Sequence, residues 1–335
     1  MYNFNKDDFL NKSKAILSLK ENILNVAQEV EKSNYSKILL TGVGGALLEL
    51  MSLERIFKEF SDRETNLLDS TEIIVGNTQK IDRDTLVITV SKSGNTVETV
   101  KSVEICKNLG AKVLSLVPSE DSELAKVSDF FVSSENVEMT HLYIKLYMIA
   151  FSLLKTQGNN EVYAEFEDTL KYIYPSLVSI HEKFEDRAIS ISQKNANKDY
   201  HMWIGSGWIW PEINMFTMCI LEEMQWKKTR PISSSNFFHG TLELLDNTFP
   251  VYLVKGFGKY RVLDQRVHDF LEKLNIDCEI IDLEDYRLEN ISEKWQEIYS
   301  PIIFNAISRG RLIIHYEKVT NHDLNTRRYY RKFKY

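Results

Sequence analysis

The chain has 335 residues, room for about two domains at roughly 150 residues each, so it can bury at least one large core and is no disulfide-stapled miniprotein. It is 43% hydrophobic and 27% charged with only 13 Gly and 6 Pro, which excludes disordered, fibrous and low-complexity classes. Lys+Arg 41 against Asp+Glu 48 leaves a net charge of −7, a field that repels polyanions, so nucleic acid is not an expected partner.

Between Asp7 and about Glu31, Phe9, Leu10, Ala15, Ile16, Ile23, Leu24 and Val26 recur at helical spacing and predict one leading amphipathic helix. Residues 37–41 are a short apolar strand ending in Gly42-Val43-Gly44-Gly45, after which residues 46–60 return to a 3.6-residue period: strand, glycine turn, helix. Residues 72–75 read as a second short strand. Thr85–Val90 is a fully apolar strand running into Ser91-Lys92-Ser93-Gly94-Asn95-Thr96, with its helix over residues 97–109, and strands follow at 111–117 and 130–132. Strands alternating with helices argue for right-handed βαβ units: an α/β fold whose parallel sheet is covered on both faces, in three layers.

Helical periodicity resumes from about Val137, breaks near residues 158–160 and continues to about Lys194. The polar stretch 193–199 is the expected boundary between a first domain, 1–192, and a second, 193–335. Beyond it the grammar repeats: a strand at 201–204, the turn Gly205-Ser206-Gly207, a helix at 208–226, strands at 249–255 and 278–283, and a helix at 260–274 between them. This recurrence suggests two copies of one α/β unit in tandem.

Ligands of open parallel sheets bind at the carboxyl ends of strands, where loops meet helix N-termini. Three loops qualify. Gly42–Gly45 is neither a full G-x-G-x-x-G nor a nucleotide P-loop, and alone is only a tight turn. Residues 91–96 say more: three hydroxyls and a glycine lie where a buried strand becomes a helix, so hydroxyls and free N–H groups face one spot at the positive end of the helix dipole. Helix capping by a Ser or Asn, with Glu98 in the first turn, accounts for one or two of these residues but not for three hydroxyls together. The third loop, 233–240, places His239 beside a glycine, where imidazole can trade protons near neutral pH, and Glu222 and Glu223 lie upstream near the end of an apolar helix. Taken singly, the carboxylates read as solvated and the histidine as a satisfied loop residue; beside a phosphate cradle they read as the base and acid that enolisation of a sugar requires.

No H-x-x-x-H pair or G-x-S-x-G elbow occurs, so neither a metal site nor a serine hydrolase is expected. Cys106, Cys219 and Cys278 are odd in number and far apart; each is expected to be a small buried hydrophobe in a reducing compartment. The charged N-terminal segment lacks a signal-peptide core and no 18 apolar residues run together, which reads as a soluble cytoplasmic protein without a membrane partner. The basic and aromatic tail, residues 327–335, is expected to dock on an acidic neighbour, a subunit interface or an anionic substrate.

These residues carry a resemblance. Residues 89–96, Thr-Val-Ser-Lys-Ser-Gly-Asn-Thr, resemble the phosphate loop of the SIS (sugar isomerase) domain family, and the two-copy layout is similar to the isomerase half of glucosamine-6-phosphate synthase. Within the family, Glu223-Met-Gln-Trp226, Asn236-Phe-Phe-His-Gly-Thr-Leu-Glu243 and residues 321–330 resemble the fructosamine-6-phosphate deglycases. The resemblance implies two tandem SIS domains and a homodimer or larger assembly. It implies that Ser91, Lys92, Ser93 and Thr96 bind a sugar 6-phosphate, with Gly44 and Gly45 lining the pocket and Glu243, Arg327 and Tyr330 lining the rest of the substrate. Glu223 would be the base that takes the C1 proton of a ketosamine, and His239, contributed by a neighbouring subunit, would assist ring opening and proton return. The products would be glucose 6-phosphate and a free amine or amino acid, with no cofactor. Gly45, Asn236 and Thr241 depart from the family's usual serine, acidic residue and proline, at loop positions suited to meet the amine portion. Two other readings keep the same groups: an aldose–ketose isomerase or glucosamine-6-phosphate deaminase, and a non-catalytic sugar-phosphate sensor.

Overall fold

Thr85–Val90 is buried at every position, so the strand needs cover on both faces and parallel neighbours. A computed structural model, describing all residues except 136–138, 331, 334 and 335, supplies both. In chain order come α1 (Lys6–Leu17), α2 (Lys20–Glu31), β1 (Lys37–Gly42), α3 (Gly45–Phe60), β2 (Glu64–Asp69), α4 (Ser70–Ile74), β3 (Thr85–Val90), α5 (Val97–Asn108), β4 (Lys112–Val117), α6 (Glu123–Val127), β5 (Phe130–Ser133) and α7 (Met139–Thr156). The sheet order is β2-β1-β3-β4-β5, every pairing parallel. Leu39, Val87, Val113, Val103, Cys106 and Leu124 form the core on one face.

After α8 (Asn160–Asn195) follow β6 (Tyr200–Gly205), α9 (Trp210–Met215), α10 (Glu223–Gln225), β7 (Lys228–Ser233), α11 (Ser234–Phe237), β8 (Val251–Lys255), α12 (Arg261–Lys273), β9 (Cys278–Asp282), α13 (Glu293–Ile298), α14 (Ser300–Ile307) and α15 (Ile313–Thr320). The second sheet, β7-β6-β8-β9, is again parallel throughout. Its core gathers Met202, Ile204, Val251, Leu253, Phe237 and Val267. The order repeats that of four of the first sheet's five strands, with β6, β7, β8 and β9 standing for β1, β2, β3 and β4 and none for β5. The expected α/β class with two parallel, helix-covered sheets is what the chain adopts.

The chain forms two compact units, residues 7–170 and residues 1–6 with 171–335, dividing within α8. The first residues join the second unit through polar bonds. The Tyr2 N–H donates to Glu185 Oε1 at 2.9 Å, and the Tyr2 carbonyl accepts from Arg311 at 2.8 Å. Arg311 is fully buried and also donates through Nε to Glu185 at 2.5 Å, so its charge meets a carboxylate inside the unit.

Local expectations differ from the structure in four places. The leading helix is two helices, because the Ser18 hydroxyl bonds back to the Ala15 carbonyl at 2.8 Å and ends the first. Residues 72–75 are not a strand: the Asp69 side chain accepts from the Thr71 N–H at 2.8 Å, capping a short helix over Ser70–Ile74, while the strand lies just upstream. The edge strand β7 was not anticipated, and its Pro231 sits where only an edge tolerates one. Of the cysteines only Cys106 is fully buried, its thiol pushed up to about 12 by desolvation; Cys219 and Cys278 are half-buried, and all three are free.

Candidate active site

In a sheet of order 2-1-3-4-5 the connections diverge between β1 and β3, and a crevice opens outside their carboxyl ends. Both loops singled out in the first unit leave from these two strands. Gly44, with φ +54°, ends the turn after β1 and caps α3 without a side-chain hydrogen bond, so the first N–H groups of a 16-residue helix are open there. A Cβ on Gly44 would meet nothing within 4 Å, so the backbone conformation, not crowding, calls for glycine.

Beyond β3, Ser91 is buried while Ser93 and Thr96 are half-buried. Ser91 Oγ lies 3.0 Å from Thr96 Oγ1 and accepts from the Gly94 N–H at 3.0 Å. Ser93 Oγ accepts from the Asn95 N–H at 3.2 Å, and Asn95 Oδ1 accepts from the Glu123 N–H at 2.9 Å, tying the loop to α6. Thr96 occupies the N-cap of α5 but gives the helix no side-chain bond. Capping therefore does not account for these hydroxyls. They form, with uncapped N–H groups, a donor set suited to an oxyanion. Lys92 is exposed at the rim.

Sequence reasoning missed two buried charges in this unit. Lys145 on α7 is 1% exposed and donates to Ser134 Oγ at 3.3 Å and the Glu135 carbonyl at 3.4 Å, at the carboxyl end of β5. Desolvation pulls its pKa down to about 8, against the attraction of buried Glu49 on α3. The signal was there: Glu49 and Lys145 are lone charges within otherwise apolar helical stretches.

In the second unit Glu223 stands where a π-helical segment, Phe216–Glu222, returns to α-helix, a bulge that re-aims the side chains beyond it. Trp226 ends the helix in the left-handed region, φ +54°. Glu223 Oε1 accepts from Arg327 Nε at 2.9 Å, with the two side chains 28% and 21% exposed. The rest of the tail docks beside the pair. Gln225 donates to the His322 carbonyl at 2.7 Å and accepts from Thr320 Oγ1 at 2.9 Å, while Arg328 lies 4.2 Å over the Trp226 ring. Glu222 is exposed and accepts from Thr229.

His239 is exposed on the turn after α11, next to Gly240 with φ +114°, and Glu243 is exposed in the following 3-10 turn. Among the described residues no hydrogen bond or ion pair joins Glu223 to His239 or Glu243. Tyr330 is 45% exposed. The structure thus unites Glu223 with Arg327, one expected substrate contact, and leaves His239 open. Of the remaining tail, Arg331, Lys334 and Tyr335 lie outside the described residues. Because the Arg327–Glu223 pair is partly exposed it contributes only up to about 1 kcal/mol. Arg327→Ala is accordingly expected to leave the melting temperature almost unmoved while speeding proteolysis of the tail; a protease pattern like the parent's would show that this contact does not hold the tail.

Burial lowers three histidines elsewhere in the chain, His141 and His201 to about 4 and His181 to about 3. Among the described residues no group of three His, Cys, Asp or Glu could hold a metal ion, and no helix is long and apolar enough to cross a membrane.

Residues 32–154 match the SIS domain family model. The chain is 25% identical to the fructosamine deglycase FrlB of Bacillus subtilis over 332 residues, covering 96% of this chain and all of that protein. It is 19% identical to the fructoselysine 6-phosphate deglycase of Escherichia coli over 258 residues, 77% of this chain and 76% of the relative. A crystal structure from Bacillus subtilis, described as that of a phosphosugar isomerase, superposes with a TM-score of 0.89 at 23% identity over 96% of this chain and all of the other, a likeness of fold.

Proposed function

We propose that this chain, whose residues 32–154 match the SIS domain family model, is a sugar-phosphate enzyme of the deglycase type, cleaving a fructosamine 6-phosphate to glucose 6-phosphate and a free amine or amino acid. One observation carries the reading: the alignment with a fructosamine deglycase spans that protein's whole length, so both halves of the chain are shared. The hydroxyl loop at the β1/β3 crevice supports it with the chemistry a 6-phosphate needs.

In this reading Ser91, Ser93 and Thr96, with N–H groups at the starts of α3 and α5, take the phosphate, Gly44 and Gly45 admit it, and Lys92 adds a positive charge at the rim. The phosphate's charge is met by dipoles and hydroxyls, as a protein of net charge −7 requires. Glu223 takes a C1 proton from the open-chain ketosamine; the C1–H electrons form C1=C2, and the C2 carbonyl oxygen gains a proton, giving an enaminol. His239, acting from the neighbouring subunit of a homodimer, serves ring opening and that oxygen. Protonation at C2 draws the nitrogen lone pair into C1=N. Water then adds at C1 and the amine leaves. The C2 carbonyl is the electron sink of the first step, and the substrate's own nitrogen is the electron donor of the second. Glu243, Arg327 and Tyr330 line the amine portion.

Incubation with fructoselysine 6-phosphate, coupled to glucose-6-phosphate dehydrogenase and to amine quantitation, is expected to yield both products in equal amounts. Absence of free amine would sink the proposal. A second reading, an aldose–ketose isomerase, draws on the fold shared with a phosphosugar isomerase and requires interconversion of sugar phosphates without amine release.

A further inference from the structure

The second sheet repeats the order of the first, so its own switch point lies between β6 and β8, and the loops there answer to Gly42–Gly45 and Ser91–Thr96. In the first unit the turn after β1 leaves room at one glycine: a Cβ on Gly44 would meet nothing within 4 Å. In the second unit the answering glycine, Gly207, has nearly the same left-handed backbone, φ +61°, but a Cβ there would come within 2.5 Å of the Tyr260 ring. The place is filled.

What fills the rest is a charge. Asp264, in the first turn of α12, is 0% exposed. Its Oδ1 accepts from Ser206 Oγ at 2.7 Å, just after β6, and from Ser234 Oγ at 2.6 Å, just after β7. Its Oδ2 accepts from the Gly256 N–H at 3.1 Å, just after β8. Two hydroxyls and a backbone N–H from three successive strand ends therefore converge on one carboxylate. These are the donor kinds that the Ser91–Thr96 loop presents. Neither serine is exposed beyond 5%, so bulk water does not compete for the carboxylate.

We propose that the second unit contains a complete oxyanion site at its switch point whose ligand is built into the chain, the Asp264 carboxylate occupying the place an external anion would take. Each chain then offers one crevice, not two, to a phosphorylated substrate. The class of ligand the second site accepts, once vacated, is a small oxyanion, with formate the match for the group removed.

The test is chemical rescue of the full-length protein. Asp264→Ala leaves Ser206, Ser234 and Gly256 N–H without their acceptor, so the melting temperature is expected to fall by several degrees. Sodium formate is expected to restore much of that loss in the variant and to do nothing for the parent protein, whereas sodium chloride at equal ionic strength restores none. A formate response no larger than the chloride response overturns the proposal. If Asp264→Ala does not fold even in formate, Ser206→Ala/Ser234→Ala decides: it keeps the carboxylate but removes two of its three donors, and a melting temperature equal to the parent's would overturn the proposal, while a fall of several degrees supports it.

Discussion

Glu223→Gln is expected to lower kcat for amine release by about 10²–10⁴-fold, the range that a positioned proton-transfer group contributes. The substitution isolates the proton. A glutamine carbonyl oxygen can still accept from Arg327 Nε, now 2.9 Å from Glu223 Oε1, so the tail stays docked. The proposed phosphate donors lie on the loop after β3 and are unchanged, so glucose 6-phosphate is expected to bind the variant within about two-fold of the parent, because ground-state contacts to the phosphate are retained. Titration calorimetry beside steady-state kinetics reads both quantities. Unimpaired turnover would remove Glu223 from the mechanism, and a joint loss of binding and turnover would assign it to substrate positioning.

Gly94→Ala has the second large effect, on the proposed phosphate loop itself. Gly94 has φ +69°, where a Cβ would lie 2.4 Å from Ser122 Cβ, 2.7 Å from Ser122 Oγ and 3.2 Å from Pro118 Cδ. The left-handed conformation costs about 1 kcal/mol for alanine and the overlap a further 1–3 kcal/mol, about 2–4 kcal/mol together. The neighbour cannot yield easily. Ser122 caps α6, and the Gly94 carbonyl accepts from the Leu124 N–H at 2.9 Å, so relief moves the helix or the loop. Moving the loop also breaks the Gly94 N–H bond that holds Ser91 Oγ. KM is therefore expected to rise more than ten-fold, about 1.4 kcal/mol of lost binding, with a smaller change in kcat. Gly158→Ala, in the turn between α7 and α8, is the control: its backbone has φ +99° and its Cβ meets nothing within 4 Å, so only the conformational cost remains. Equal KM values for the two variants would contradict this account of the loop.

The parts of the fold legible in sequence were those whose own residues decide their structure. β3 reads to the residue because all six positions are apolar or β-branched and buried. β2 and β7, Glu-Thr-Asn-Leu-Leu-Asp and Lys-Thr-Arg-Pro-Ile-Ser, are strands only because a neighbouring strand pairs with them, and edge positions tolerate their polar residues and proline. Ile73-Ile74-Val75 looked extended by propensity, and one side-chain cap from Asp69 overrode it.

The site divides along the same line. Residues 91–96 were legible because hydroxyls, glycine and strand end sit within six positions. The Arg327 contact to Glu223 was not, since 104 residues separate the partners and neither charge carries a local mark of the other. Asp264 was invisible for a different reason: an acidic residue in a first helical turn reads as an ordinary dipole partner, and only the sheet order reveals three strand ends converging on it.

The central claim is that a C1 proton is removed and an imine of glucose 6-phosphate is formed. Turnover of a fructosamine 6-phosphate carrying two deuterium atoms at C1, with the sugar phosphate analysed by mass spectrometry and NMR, tests it directly. The account predicts glucose 6-phosphate that has kept a single deuterium at C1, formed more slowly than from the unlabelled substrate. Fructose 6-phosphate that has kept both deuterium atoms, the product of direct displacement of the amine at C1, would contradict it.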